Sequence, residues 1–195
     1  MKEVVGFLSR EHGLEVLNSL IKSSSYKLIK VYTHSLKPKS EDPQRAIRED
    51  YIIYKKICQE HDIPLEPIDS KDFVIEDFPK CDFIIEVSWR YLISKNIISS
   101  PRISSIGIHR GELPKFAGAE PMKKAIMNKE KNIIVTAHYL DKNIDEGETI
   151  TSITHPINYD SQMTLDENIL RLRNEITKYF SKLTFDAFRI YEEKF

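Results

Sequence analysis

The residues best suited to chemistry lie in one irregular stretch, Gly107-Ile108-His109-Arg110-Gly111-Glu112-Leu113-Pro114-Lys115-Phe116-Ala117-Gly118-Ala119-Glu120-Pro121. The chain has only six glycines; three fall here, and a fourth, Gly147, comes later. Glycine marks positions where the backbone takes a positive φ or where another group must come close. His109 follows directly on the apolar run Ile103 to Ile108, which reads as a strand, and ligands of open α/β sheets bind at the carboxyl ends of strands. An imidazole titrates near neutrality and suits proton transfer there. The plain alternative, a histidine that only caps a loop, is disfavoured by the glycines and prolines around it. The second piece is Leu140-Asp141-Lys142-Asn143-Ile144-Asp145-Glu146-Gly147. A carboxylate on a turn after a strand, Asp145, could orient the imidazole and favour its protonated form. Spacing alone says little, because surface turns are rich in aspartate and glycine.

The elements that must position these groups alternate. Val4 to Leu8 reads as a buried strand, and Leu14, Leu17, Leu20 and Ile21 then recur at helical spacing. Leu28 to Thr33 is a second strand. A helix is expected over Pro43 to His61, with Ile47, Tyr51, Tyr54 and Cys58 on one side. Pro64 and Pro67 keep Ile63 to Ile68 extended. Phe83 to Val87 is a further strand before Ile103 to Ile108. This order predicts an α/β fold with a mostly parallel, twisted sheet and helices on both faces. Beyond it, Ile133 to Leu140 and Gly147 to His155 read as strands. Thr164 and Glu167 form a capping box, and Leu165, Ile169, Leu172, Ile176, Phe180 and Leu183 form an apolar stripe expected to pack on the sheet. The 195 residues suit a single domain over 1–195 with a helical end from about 164 to 195.

Bulk properties exclude several classes. Lysine plus arginine (29) nearly cancel aspartate plus glutamate (30), so the basic surplus of a nucleic-acid binder is missing. Cys58 and Cys81 lack zinc spacing and read as buried free thiols of a reducing compartment. The amino-terminal apolar run is too short for a signal peptide, and no run approaches the ~20 apolar residues of a spanning helix. The expectation is a cytoplasmic protein without metal, nucleic-acid or membrane partners. No G-x-G-x-x-G follows the first strand, which argues against a plain dinucleotide-binding module.

The segment His109 to Pro121, with Ala125-Ile126 after it, resembles the signature of folate-dependent formyltransferases. In that family Asn-x-His-x-x-x-Leu-Pro leads to a glycine and a proline, and an Asp-x-Gly follows; here Asp145-Glu146-Gly147 fills the last element. Cys81 to Ile93 resembles the strand and loop that cradle the pteridine. The resemblance spans roughly Met1 to Ile157 and favours the methionyl-tRNA and amino-sugar branches over the purine branch. It implies a Rossmann-like formyltransferase core that moves a formyl group from 10-formyltetrahydrofolate to a primary amine. His109 and Asp145 would be catalytic; Arg90, Tyr91, Leu92, Leu140 and Ile144 would face the folate; Ser9, Lys115 and Glu120 would face the amine. The expected acceptor is a small molecule, above all a nucleotide-linked amino sugar, because no second domain follows the core in this sequence. A homodimer is compatible with this reading. There is one departure: the family's asparagine, two residues before the histidine, is Gly107 here. Losing such an oxyanion donor costs ~100- to 1000-fold in rate. A protein of this fold that binds folate or a nucleotide without turnover is therefore the alternative.

Overall fold

A computed structural model describes residues 1–141, 145 and 147–192. The chain divides into two compact units, Met1–Ser105 and Ile106–Phe195.

The first unit is an α/β layer. Strand β1 (Lys2–Leu8) leads to helix α1 (Arg10–Ile21), β2 (Tyr26–Thr33), α2 (Glu49–Glu60), β3 (Leu65–Pro67), β4 (Phe83–Val87) and the short α3 (Lys95–Ile98). β1 pairs in parallel with both β2 and β4, and β2 pairs in parallel with β3. The chain thus runs outward from β1 through β2 to β3 and returns to the other side of β1 as β4. Val4, Val5, Phe7 and Leu8 are fully buried in this central strand, as its apolar run requires. Val16, Leu17 and Leu20 bury the inner side of α1.

α2 starts six residues later than its expected start at Pro43. The Asp42 carboxylate accepts the backbone N–H of Gln44 and Ala46, each at 2.9 Å, which turns the chain. Leu36 and Ile47 then form an isolated antiparallel bridge, so helix begins only after Arg48. Cys58 and Cys81 are buried, and burial pushes their thiols up to about 11 and about 12 respectively, which makes them poor nucleophiles.

Strand β5 (Ser104–His109) straddles the division. The second unit continues through α4 (Pro121–Met127), β6 (Asn132–Tyr139), β7 (Thr149–Pro156) and α5 (Leu165–Glu192). β5 with β6 and β6 with β7 pair antiparallel, so the parallel pattern stops here. α5 packs against β6 and β7. Its capping box forms in both directions: Thr164 N–H donates to Glu167 Oε2 at 2.7 Å, and Glu167 N–H donates to Thr164 Oγ1 at 3.2 Å. Leu172, Ile176, Phe180 and Leu183 of the stripe are fully buried, while Leu165 and Ile169 at its start are half-buried. Among the described residues no helix is long and apolar enough to cross a membrane.

Candidate active site

His109 is the last residue of β5, and the loop after it folds back over its ring. His109 Nε2 lies 2.8 Å from the Phe116 carbonyl oxygen. A carbonyl oxygen only accepts, so Nε2 carries the hydrogen. Nδ1 lies 3.2 Å from Asp145 Oδ2. The same Oδ2 accepts the Gly118 N–H at 3.0 Å, so the loop holds the carboxylate beside the ring. Both side chains are nearly buried, at 10% and 13% exposure. Burial pushes the His109 pKa below the usual histidine range, against the pull of Asp145 and the Phe116 carbonyl.

Two glycines have a steric reason to be glycine. At Gly111 a Cβ would press on Pro121, the Phe116 carbonyl oxygen and His109 Nε2. At Gly147 a Cβ would overlap the Tyr139 carbonyl oxygen, which explains a glycine two residues after Asp145. Asp145 itself sits at φ 55°, the left-handed region that aspartate tolerates better than most residues. Thr136 Oγ1 donates to the Gly111 carbonyl at 2.9 Å and fixes the start of the loop.

The other expected site residues lie as follows. Ser9 is fully buried at the head of α1, with no partner for its hydroxyl among the described residues. The Lys115 ammonium lies 2.7 Å from Glu130 and 3.7 Å from Glu112, so two carboxylates already face it. Glu120 is exposed, caps α4 from a left-handed conformation (φ 55°) and faces Lys123 at 3.5 Å. Leu140 is half-buried just after β6, and Ile144 lies outside the described residues. Leu92 is 55% exposed.

Arg90 and Tyr91 belong to a polar cluster of the first unit that the sequence did not single out. Asp69 accepts the backbone N–H of Ser35 (3.2 Å) and Leu36 (3.0 Å), and Arg90 Nη2 lies 3.4 Å from Asp69 Oδ1. Arg90 also donates to the Leu36 carbonyl (2.8 Å), and the Tyr91 hydroxyl donates to the Asp69 carbonyl (3.0 Å). His34 donates from Nδ1 to the Ile68 carbonyl (2.6 Å), accepts the Arg90 N–H at Nε2 (3.2 Å) and stacks on Trp89 with ring centroids 4.0 Å apart. Burial, helped by the Arg90 charge, pushes its pKa down to about 3. Three buried donors, Arg90 Nε, Arg90 Nη1 and Trp89 Nε1, have no partner among the described residues. Sequence reading missed His34 and Asp69 because a histidine after a strand and an aspartate before a serine look like ordinary turn residues. It also passed over His138, next to the end of the largely apolar strand β6.

A nearly buried histidine–carboxylate pair, held by a glycine loop at the end of a strand, is suited to acid–base work in a group-transfer enzyme. A family model described as Formyl transferase matches residues 7–180. The chain belongs to the formyl transferase family. It is 27% identical over 175 residues to the methionyl-tRNA formyltransferase of Clostridioides difficile (strain 630), covering 87% of this chain and 53% of the relative. The chain spans about half the length of the curated relatives it matches. Among solved structures it resembles the phosphoribosylglycinamide formyltransferase of Streptococcus pneumoniae TIGR4, with TM-score 0.67, 15% identity and coverage of 96% of this chain and 99% of the other. It also resembles WlaRD, a sugar 3N-formyl transferase solved with dTDP and 5-N-formyl-THF, with TM-score 0.64, 19% identity and coverage of 96% and 62%.

Proposed function

We propose that this protein transfers a formyl group from 10-formyltetrahydrofolate to the primary amine of a small substrate, with a nucleotide-linked amino sugar as the leading class. The observation that carries the reading is the His109–Asp145 pair at 3.2 Å, clamped by Gly118, in a chain whose family model spans 7–180. When bound, the folate supplies a formyl carbon open to attack by the amine. The orphaned donors of Arg90 and Trp89 fit a ligand rich in carbonyl and carboxylate oxygens, which supports Arg90 and Tyr91 as folate-side residues. Leu92, exposed beside them, would add an apolar contact. His109 holds a hydrogen at Nε2 that it can redirect from the Phe116 carbonyl to an oxygen or nitrogen of the reacting group. The Phe116 carbonyl fixes the ring's orientation, and Asp145 accepts from Nδ1 and favours the charged form when that form appears. Near-complete burial of both side chains excludes water, which strengthens each of these interactions.

A second reading, binding without turnover, is favoured by Gly107, which brings no side chain to the position where the resemblance sets an oxyanion donor. One experiment separates the two. The protein is incubated with 10-formyltetrahydrofolate and a panel of dTDP- and UDP-linked amino sugars, and formylated amine is measured by mass spectrometry beside the His109→Ala variant. Product from the wild type only, with both forms melting alike, supports transfer. Folate-dependent thermal stabilisation in both forms without product supports binding alone; a ligand at a hundred times its Kd stabilises by ~2.7 kcal/mol.

A further inference from the structure

Asp145 faces a second imidazole that the mechanism above leaves unused. In the antiparallel β5–β6 pair Gly107 stands opposite His138, and His109 stands opposite Thr136. Opposed residues project from the same face, and alternate residues of a strand share a face, so positions 107, 109, 136 and 138 form one patch. Gly107 contributes no side chain to it, and His138 contributes a ring. The His138 side chain is 2% exposed, and its Nε2 lies 3.6 Å from Asp145 Oδ1. That nitrogen has no hydrogen-bond partner among the described residues. Nδ1 lies 2.8 Å from the Tyr139 carbonyl oxygen, so Nδ1 carries the hydrogen and Nε2 of the neutral ring is a bare lone pair.

His109 repeats the pattern. Its Nε2–H donates to the Phe116 carbonyl, and its bare Nδ1 meets the other oxygen of the same carboxylate. Two lone pairs therefore face one anion. The arrangement is repulsive until a proton enters, when one ring nitrogen becomes a donor to the carboxylate. Burial lowers the pKa of both rings, so both are neutral at pH 7 and free to accept.

We infer that His138 is a proton-holding, positioning residue of this site: it shares the Asp145 carboxylate with His109 and takes up the proton that Asp145 carries between the attacking amine and the departing nitrogen. The inference rests on the formyl-transfer reading. In that reaction the amine nitrogen bonds to the formyl carbon and the bond from that carbon to the donor nitrogen breaks. One proton leaves the amine and one joins the departing nitrogen. The first passes to the Asp145–His138 pair, where the buried Nε2 lone pair can hold it; Asp145, which lies against both rings, carries the charge between them, and His109 as imidazolium releases the second. The three groups gain one proton and lose one, and no other reactant is consumed.

The test uses the full chain labelled with 15N-histidine, together with the variants His138→Asn and Asp145→Asn. Asparagine retains a donor for the Tyr139 carbonyl and lacks the nitrogen that faces Asp145. The groups facing His138 are Asp145, His109 and the Tyr139 carbonyl; those facing His109 are Asp145, the Phe116 carbonyl, Arg110 and Lys124. In the wild type the His138 Nε2 signal should read as bare at neutral pH and move together with the His109 signals on acidification. In Asp145→Asn the two rings should titrate apart. With 10-formyltetrahydrofolate and a dTDP-linked amino sugar, His138→Asn should lower kcat by about 100-fold. It should also lose one limb of the pH–rate profile and leave the Kd for the donor unchanged. A His138 ring indifferent to Asp145→Asn overturns the inference, and so does a His138→Asn variant with wild-type kcat and pH profile. Coupled titration with no formylated product from the wild type overturns formyl transfer, and the catalytic step with it, but leaves the shared proton standing.

Discussion

Replacing Gly111 by alanine adds one methyl group at the tightest point of the candidate site. An ideal Cβ there would lie 2.7 Å from Pro121 Cβ, 2.9 Å from the Phe116 carbonyl oxygen and 3.0 Å from His109 Nε2. Comfortable carbon contacts begin at about 3.5 Å, so neighbours must yield by roughly half an ångström to 1 Å. A proline ring on α4 and a main-chain carbonyl give way poorly, which leaves the imidazole to move. The methyl thus presses on both partners of the 2.8 Å His109–Phe116 hydrogen bond at once. Overpacking of this kind costs ~1–3 kcal/mol. At ~2–4 °C per kcal/mol for a chain of this size, Tm should fall by about 2–12 °C in a calorimetric scan. A shift of ~1 Å at a reacting group costs up to about 100-fold, so kcat for formyl transfer should fall well beyond any change in KM. An alanine variant with unchanged Tm and unchanged kcat would refute the claim that loop closure over His109 depends on a glycine at this position.

Two further predictions concern other parts of the chain. Gly107→Asn should slow turnover, because the new amide shares a sheet face with the His138 ring directly opposite; a gain of tens of fold in single-turnover assays would instead show that an oxyanion donor was missing. His34 has a folded pKa of about 3 against an unfolded value of 6.5, so the unfolded chain binds the extra proton at every pH between those limits. Stability is complete above pH 6.5 and falls by up to ~1.4 kcal/mol per pH unit below it, which urea melts at descending pH should register and His34→Gln should blunt.

The order of the strands and of the three longer helices was legible because each rests on local physics, whereas the short α3 and α4 were not read from the sequence. Apolar runs with helical spacing between them can bury their surface in few other ways, and β4 matches its sequence range, Phe83–Val87, residue for residue. The capping box at Thr164 and Glu167 is a contact within one turn and needs no tertiary partner. The start of α2 was not legible, because it depends on the Asp42 turn and on a bridge between Leu36 and Ile47 that a helical periodicity cannot reveal. The antiparallel turn of the sheet after β5 was equally hidden: a strand's sequence states its faces but not its direction relative to its neighbour.

The site divides along the same line. Residue type and a family-like spacing singled out His109 and Asp145, since few side chains can move a proton near neutral pH and glycines crowd around both. Sequence also placed Lys115 and Glu120 beside them, but could not say that other charges already face both. Only the tertiary structure set Asp145 between two rings, with Gly118 holding it. His138 reads in sequence as one polar residue in an apolar strand. Its meaning comes from cross-strand register and from which of its nitrogens meets a carbonyl, and both are properties of pairs distant in the chain. Local propensity acts between near neighbours, whereas the state of a buried proton is decided by whichever groups folding brings within about 4 Å of it.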